Sequence, residues 1–159
     1  MSSSFDLPEV DRFVCGTVGS PGQRIFYIQA VSAGQLVSLR VEKQQVDVLC
    51  DYLERVLATH ELPESPPAHM AELVEPVIDE WVVGSIMVAI NEAAGRVVII
   101  AEELTDDETE ASSARFGLTG SQVDAFVDGA RRIVAGGRPT CRLCGRPMDP
   151  DGHPCPRMN

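Results

Sequence analysis

The sequence predicts an α+β fold, with two amphipathic helices on one face of a single antiparallel sheet and a zinc knuckle at the C-terminus. Three observations lead there. Runs with the two-residue period of strands are grouped instead of alternating one by one with helices, which argues against a parallel βαβ sheet. Two longer segments repeat their apolar residues at helical spacing. The closing stretch CRLCGRPMDPDGHPCPR places cysteines and a histidine at separations suited to a tetrahedral ion.

The elements follow in order. Residues 10–19, VDRFVCGTVG, and then RIFYIQAVSA mix β-branched and aromatic residues around a glycine–proline break, so they read as a hairpin. After the turn at Gly34 and Gln35, the residues Val37, Leu39 and Val41 alternate with Ser38, Arg40 and Glu42, which adds a third strand. The period then changes. Between Gln44 and His60, Val46, Leu49, Leu53, Val56 and Leu57 fall three and four apart, which makes an amphipathic helix. Pro63, Pro66 and Pro67 end it, and ELPESPPAHMAELVEP is expected to be a long acidic connection with at most one short turn near residues 68–73. WVVGSIMVAI and RVVIIAEEL, joined across Gly95, form a second hairpin, and TDDETEASS reads as a solvated loop. Thr119 or Ser121 can cap a second helix whose apolar face is Val123, Phe126, Val127, Ala130, Ile133 and Val134. Gly136 and Gly137 stop that helix, with Arg131 and Arg132 at the negative end of its dipole. The expected order is β-β-β-α-β-β-α. The division is a domain over residues 1–137 and a knuckle-like appendage over residues 138–159. An open edge of such a sheet can pair with another chain or be covered by the proline-rich connection.

In the tail, Cys141 and Cys144 are separated by two residues, a spacing that lets one tight turn aim both sulfurs at the same ion. Gly145 lets the backbone curl so that amides face the thiolates. Asp149, Pro150, Asp151 and Gly152 supply a reversal, and His153 with Cys155 completes a set of three cysteines and one histidine. Such closed shells hold structural zinc, and soft thiolates favour zinc or iron among cellular metals, a lone iron with this shell being unusual. Three cysteines with an open fourth position are a variant of this site. An incidental cysteine-bearing tail fits the spacing less well. A thioredoxin-like redox pair fits less well too, because its motif follows a strand and opens a helix, whereas Cys141 follows a helix end and Pro139. Leu143 and Met148 are nearly the tail's only apolar side chains, so a bound ion must supply most of its folding free energy.

The chain of 159 residues is 44% hydrophobic and carries a formal charge of −11. That charge argues against sequence-independent nucleic-acid binding and against docking on anionic membranes. The acids cluster, with six in residues 61–80 and six in residues 102–110, while six arginines stand against two aspartates from Arg131 onward. The basic end therefore has acidic surfaces to lie on, its own or a partner's. The start, MSSSFDLPEVDRF, has neither the basic nor the apolar region of a signal peptide, so the cytoplasm is the expected compartment. Cys15 and Cys50 lie in apolar patterns and read as core. Gly16, Gly19 and Gly22 are spaced like a phosphate loop but lead into a strand, so a hairpin turn is the better reading. Glu102 and Glu103 match no hydrolase or calcium-loop spacing, and His60 and His69 have no partner visible in sequence.

DRFVCGTVGSPGQRIFYIQA, LVSLRVEKQQV and the terminal CRLCGRPMDPDGHPCPR together resemble an actinobacterial family of conserved proteins of unknown function, over nearly the whole chain. The resemblance implies a zinc-ribbon-like C-terminus on Cys141, Cys144, His153 and Cys155 and no established activity. It also implies partners among a kinase-like and a histidine-phosphatase-like neighbour. The readings that follow are, first, a zinc-containing cytosolic accessory or adaptor protein. A second is a small enzyme with its site near Gly16, Gly22, Glu102 and Glu103, and a third is a nucleic-acid-associated knuckle. A deep pocket with converging polar groups beside the glycine turn would favour the enzyme; a flat apolar patch would favour the adaptor.

Overall fold

In the computed structural model, the chain runs Phe5–Leu7 (β1), Arg12–Val18 (β2), Ile25–Ser32 (β3), Gln35–Val41 (β4), Lys43–Thr59 (α1), Trp81–Asn91 (β5), Arg96–Glu103 (β6), Ser113–Leu118 (β7) and Gly120–Val134 (α2). Residues 2–20, 22–136, 142–144 and 155–157 are described. Of the expected knuckle, only residues 142–144 and 155–157 are among them.

The α+β class holds, and every strand and helix expected from periodicity is present. The sheet itself differs from expectation. It is mixed, not antiparallel, and has seven strands in the order β1-β7-β6-β5-β4-β3-β2. The two additional strands are β1 and β7, so the observed sequence of elements is β-β-β-β-α-β-β-β-α. The parallel pairs are β1 with β7 and β4 with β5. The second has a clear cause. Residues 42–80 form a crossover long enough to return the chain to its starting end, which a parallel neighbour requires. Residues 68–73, where at most one short turn was expected, form no turn, and Ser113 of the expected acidic loop belongs to β7.

The sheet is strongly curled. Seven flat strands would put the outer two about 29 Å apart. Residues 8–11 alone join β1 to β2, and such a link reaches about 18 Å at full stretch. The far strands are accordingly brought together. Val10 N–H donates to the Gly117 carbonyl and Asp11 N–H to Val31, and the Phe13 ring sits 5.3 Å from Phe116 and 4.9 Å from Phe126. Pro8 crosses Gly117 so closely that any β-carbon there would strike the Pro8 carbonyl.

Both helices fill the concave face. Val46, Leu49, Cys50 and Leu53 of α1 and Val123, Phe126, Val127 and Ala130 of α2 share one core with the inward side chains of the sheet. Thr119, not Ser121, is the cap of α2: its hydroxyl accepts from Gln122 N–H, and Gln122 Oε1 accepts from Thr119 N–H. Gln122 Nε2 also donates to the Val10 carbonyl, which fastens the cap to the β1–β2 link. At the start of α1, Gln45 Oε1 accepts from Glu42 N–H while its Nε2 donates to the Val83 and Gly84 carbonyls of β5. Arg131 ties the helices together through Asp47, Asp51 and Glu54.

Residues 60–80, between α1 and β5, have no regular structure and yet are anchored along their length. Ser65 and Ser121 exchange hydrogen bonds at the start of α2. Met70 lies against Gly129, and its Sδ accepts from Cys15 N–H on the outer edge of β2. Leu73 covers Gly16, which shares the outward face of β2 with Val14. Gln29, 2% exposed on the outward face of β3, completes the path with its side-chain amide. Its Oε1 accepts from Val74 N–H at 2.7 Å, and its Nε2 donates to the Val74 carbonyl and to Ser38 Oγ. The segment is thus a strap that passes from α2, round the β2 edge, to the back of the sheet.

Candidate functional site

The tail reading can be placed only in part. Cys144 is half-buried and Cys155 is buried; Cys141 and His153 lie outside the described residues. Among the described residues no group of three or more His, Cys, Asp or Glu side chains could hold a metal ion. The tail starts at a defined place, because Arg24 Nη1 at the base of β3 donates to the Gly136 carbonyl just past α2. Arg142 and Arg157 are exposed.

The glycine turn is a hairpin, with β2 and β3 paired from Arg12 opposite Val31 to Val18 opposite Ile25. Gly19 has φ of 108° and Gly22 of 88°, left-handed values that explain the glycines without a phosphate. Beside it is an open cavity of about 490 Å³ under the strap, lined by Cys15, Gly16, Thr17, Leu73 and Ile133, with Glu72 and Glu75 at the strap side. Burial pushes the Cys15 thiol up to about 12, with a smaller push from the charge of Cys50; Cys50 is pushed up to about 11, chiefly by its own burial. Thiols held so firmly protonated are poor nucleophiles, so both cysteines belong to the core, as their apolar settings predict.

Glu102 and Glu103 do not join this cavity into one site. In the sheet, β5, β4 and β3 stand between them and β2. Glu102 is exposed. Glu103 accepts from Ser2 Oγ at 2.6 Å and from Ser112 N–H, and these bonds, the Ser2 bond foremost, hold its carboxyl below the usual range. It tethers the N-terminus. His60 is exposed with its Nδ1 beside Thr59 Oγ1, and His69 lines a polar cavity of about 540 Å³ with Asp124, Asp128 and Arg132. Arg132 is already paired with Asp128.

The basic end does meet an acidic surface of its own at Arg131, which touches three carboxylates of α1 at 2.6–3.1 Å. Their hydrogen bonds, led by Asp51, raise the Arg131 pKa further. One face of α1 is thereby occupied. The other borders a groove of about 330 Å³ against β5, lined by Gln45, Val48, Tyr52, Gly84, Ser85 and Ile86. Val48 and Tyr52 are 42% and 43% exposed there. Sequence reasoning missed this surface, since it depends on where β4 stops.

The chain matches the family described as protein of unknown function DUF3090 over residues 5–155, from the first strand to the last cysteine. It belongs to that family. No curated protein matches it. No helix among the described residues is long and apolar enough to cross a membrane.

Proposed function

We propose that this DUF3090 protein is a cytosolic accessory or adaptor protein whose tail is folded by one structural zinc on Cys141, Cys144, His153 and Cys155. The observation that carries the adaptor reading is the exposed apolar surface formed by Val48 and Tyr52 of α1 beside Ile86 of β5. Apolar side chains gathered at one groove are what protein contact surfaces need. The cavity at the glycine turn, by contrast, offers an inert thiol and, among the described residues, no converging acid and base. Two further points support the zinc site. Cys155 is 8% exposed although its segment has almost no apolar residues to bury it, and the family match extends to that residue. A protein partner fits best, with the kinase-like and phosphatase-like neighbours implied by the resemblance as the first to test.

Metal content decides the zinc site. The full chain purified under zinc-replete conditions should carry one equivalent of zinc, and Cys144→Ser should lose it. A metal-free wild type sinks the site. Affinity capture from the native host, with a Val48→Asp, Tyr52→Ser chain as control bait, tests the adaptor reading. Specific recovery of a partner supports it, and a bait that returns nothing above the control counts against it.

A further inference from the structure

We infer that β5 is a homodimer interface in which residues 85–91 of two copies pair antiparallel, with Val88 opposite itself. The proposal stands apart from the zinc site and rests on the sheet alone.

In the sheet order β5 is an internal strand, but β4 pairs only with its first two residues, Trp81 and Val82. A bulge at Gly84 follows, and the Gln45 amide takes the Val83 and Gly84 carbonyls. From Ser85 to the hairpin tip the β4 side has no neighbouring strand, and no backbone bond links it to any other described segment. Long open edges template pairing, and chains normally guard them with charge, proline or a cover. Here the β2 edge is covered by Met70 and β1 is three residues long, but residues 85–91 read Ser-Ile-Met-Val-Ala-Ile-Asn, without a charge or a proline.

The order of those residues selects the occupant. It reads almost alike from either end, as an isologous two-fold interface requires. With Val88 on the axis, Ile86 faces the second copy's Ile90 on the helix side of the sheet. On the outer side the long Met87 faces the short Ala89, and Ser85 faces Asn91. Moving the axis to Met87 would set residues 90 and 91 against Gly84 and Val83, where Gln45 already occupies the carbonyls. The groove beside α1 then gains an explanation. The second copy's Ile90, opposite Ile86, arrives at the exposed Val48 and Tyr52. Although each chain carries −11 overall, none of that charge lies on the seven paired residues.

Sedimentation of the full, zinc-replete chain at physiological salt, from ~1 to ~100 µM, should show a reversible dimer. Met87→Glu with Ala89→Glu places carboxylates opposite one another on both sides of the axis and should weaken the dimer by roughly 100-fold or more. Both side chains are exposed, so circular dichroism should not change. Met87→Glu with Ala89→Lys sets each glutamate against a lysine and should restore the dimer. A wild type monomeric throughout that range overturns the proposal, even if another protein's strand binds there. So does a dimer unaffected by the double glutamate, or one that the glutamate–lysine pair fails to restore.

Discussion

The two halves of the sheet are finished differently by the rest of the chain. In β2, β3 and β4 the helices cover one face and the strap the other, so that Val14, Tyr27, Gln29 and Ser38 on the outward side are buried. In β5, β6 and β7 the helices cover one face only, leaving Ser85, Met87, Ala89, Glu102 and Arg115 of the outward side exposed. What separates the halves is anchoring more than hydrophobicity. Val74, where the strap meets β3, is 40% exposed; its backbone, not its side chain, is what the sheet holds. A segment without helix or strand must find partners for its backbone groups wherever it is laid down. Gln29 offers both a donor and an acceptor at one point of an otherwise apolar strand.

The difference can be broken at its anchor. Gln29→Ala removes the partner of Val74 N–H, the Val74 carbonyl and Ser38 Oγ together, and should cost about 2–4 kcal/mol in urea unfolding, with proteolysis appearing first in residues 60–80. An unchanged midpoint would show that the strap is held by other means. Met70→Ala should cost less, about 2 kcal/mol, by opening a void against Gly129 and depriving Cys15 N–H of its acceptor. Its hydrogen exchange should rise at Cys15 and stay unchanged across β6, since the strap reaches only one half.

The smallest effect is at alkaline pH. The Cys15 and Cys50 thiols keep their protons up to about 12 and about 11 in the folded chain, against an ordinary 9.0. Above 9.0 the unfolded chain binds fewer protons than the native one, so stability falls as pH rises. The contribution is complete below that value and is lost as pH climbs through about 11 and then about 12. At pH 10 the loss should be about 1–2 kcal/mol per thiol, and Cys15→Ala with Cys50→Ala should flatten the slope of melting temperature against pH. An equal slope in that variant would place the titration elsewhere.

Strand and helix positions were legible wherever a period ran for more than six or seven residues. β7 carries a fair alternation, with Ala114, Phe116 and Leu118 inward, but it is short and wedged between an acidic loop and a helix cap. β1 is three residues before a proline and has no period to read. Strand direction was not legible, because a two-residue repeat says which face is buried and nothing about the neighbour's polarity. The proline-rich connection was readable as a long loop and as a possible edge cover. Its path needed Gln29 and Gly16, a lone amide and a missing side chain amid apolar strand residues. The proposed ligands Cys141, Cys144, His153 and Cys155 were nominated by spacing alone. The open stretch of β5 was the least legible feature, because it exists only where β4 ends.

The pairing of β1 with β7 has a consequence for the newborn chain. Phe5 lies beside Ala114, so β1 has no seat until β7 has left the ribosome. At ~5–20 residues per second that wait is roughly 5–20 s. The closing of the curl over Phe13 and Phe116 must therefore wait until β7 has emerged. A nascent chain stopped before β7 would leave β1 without its neighbouring strand.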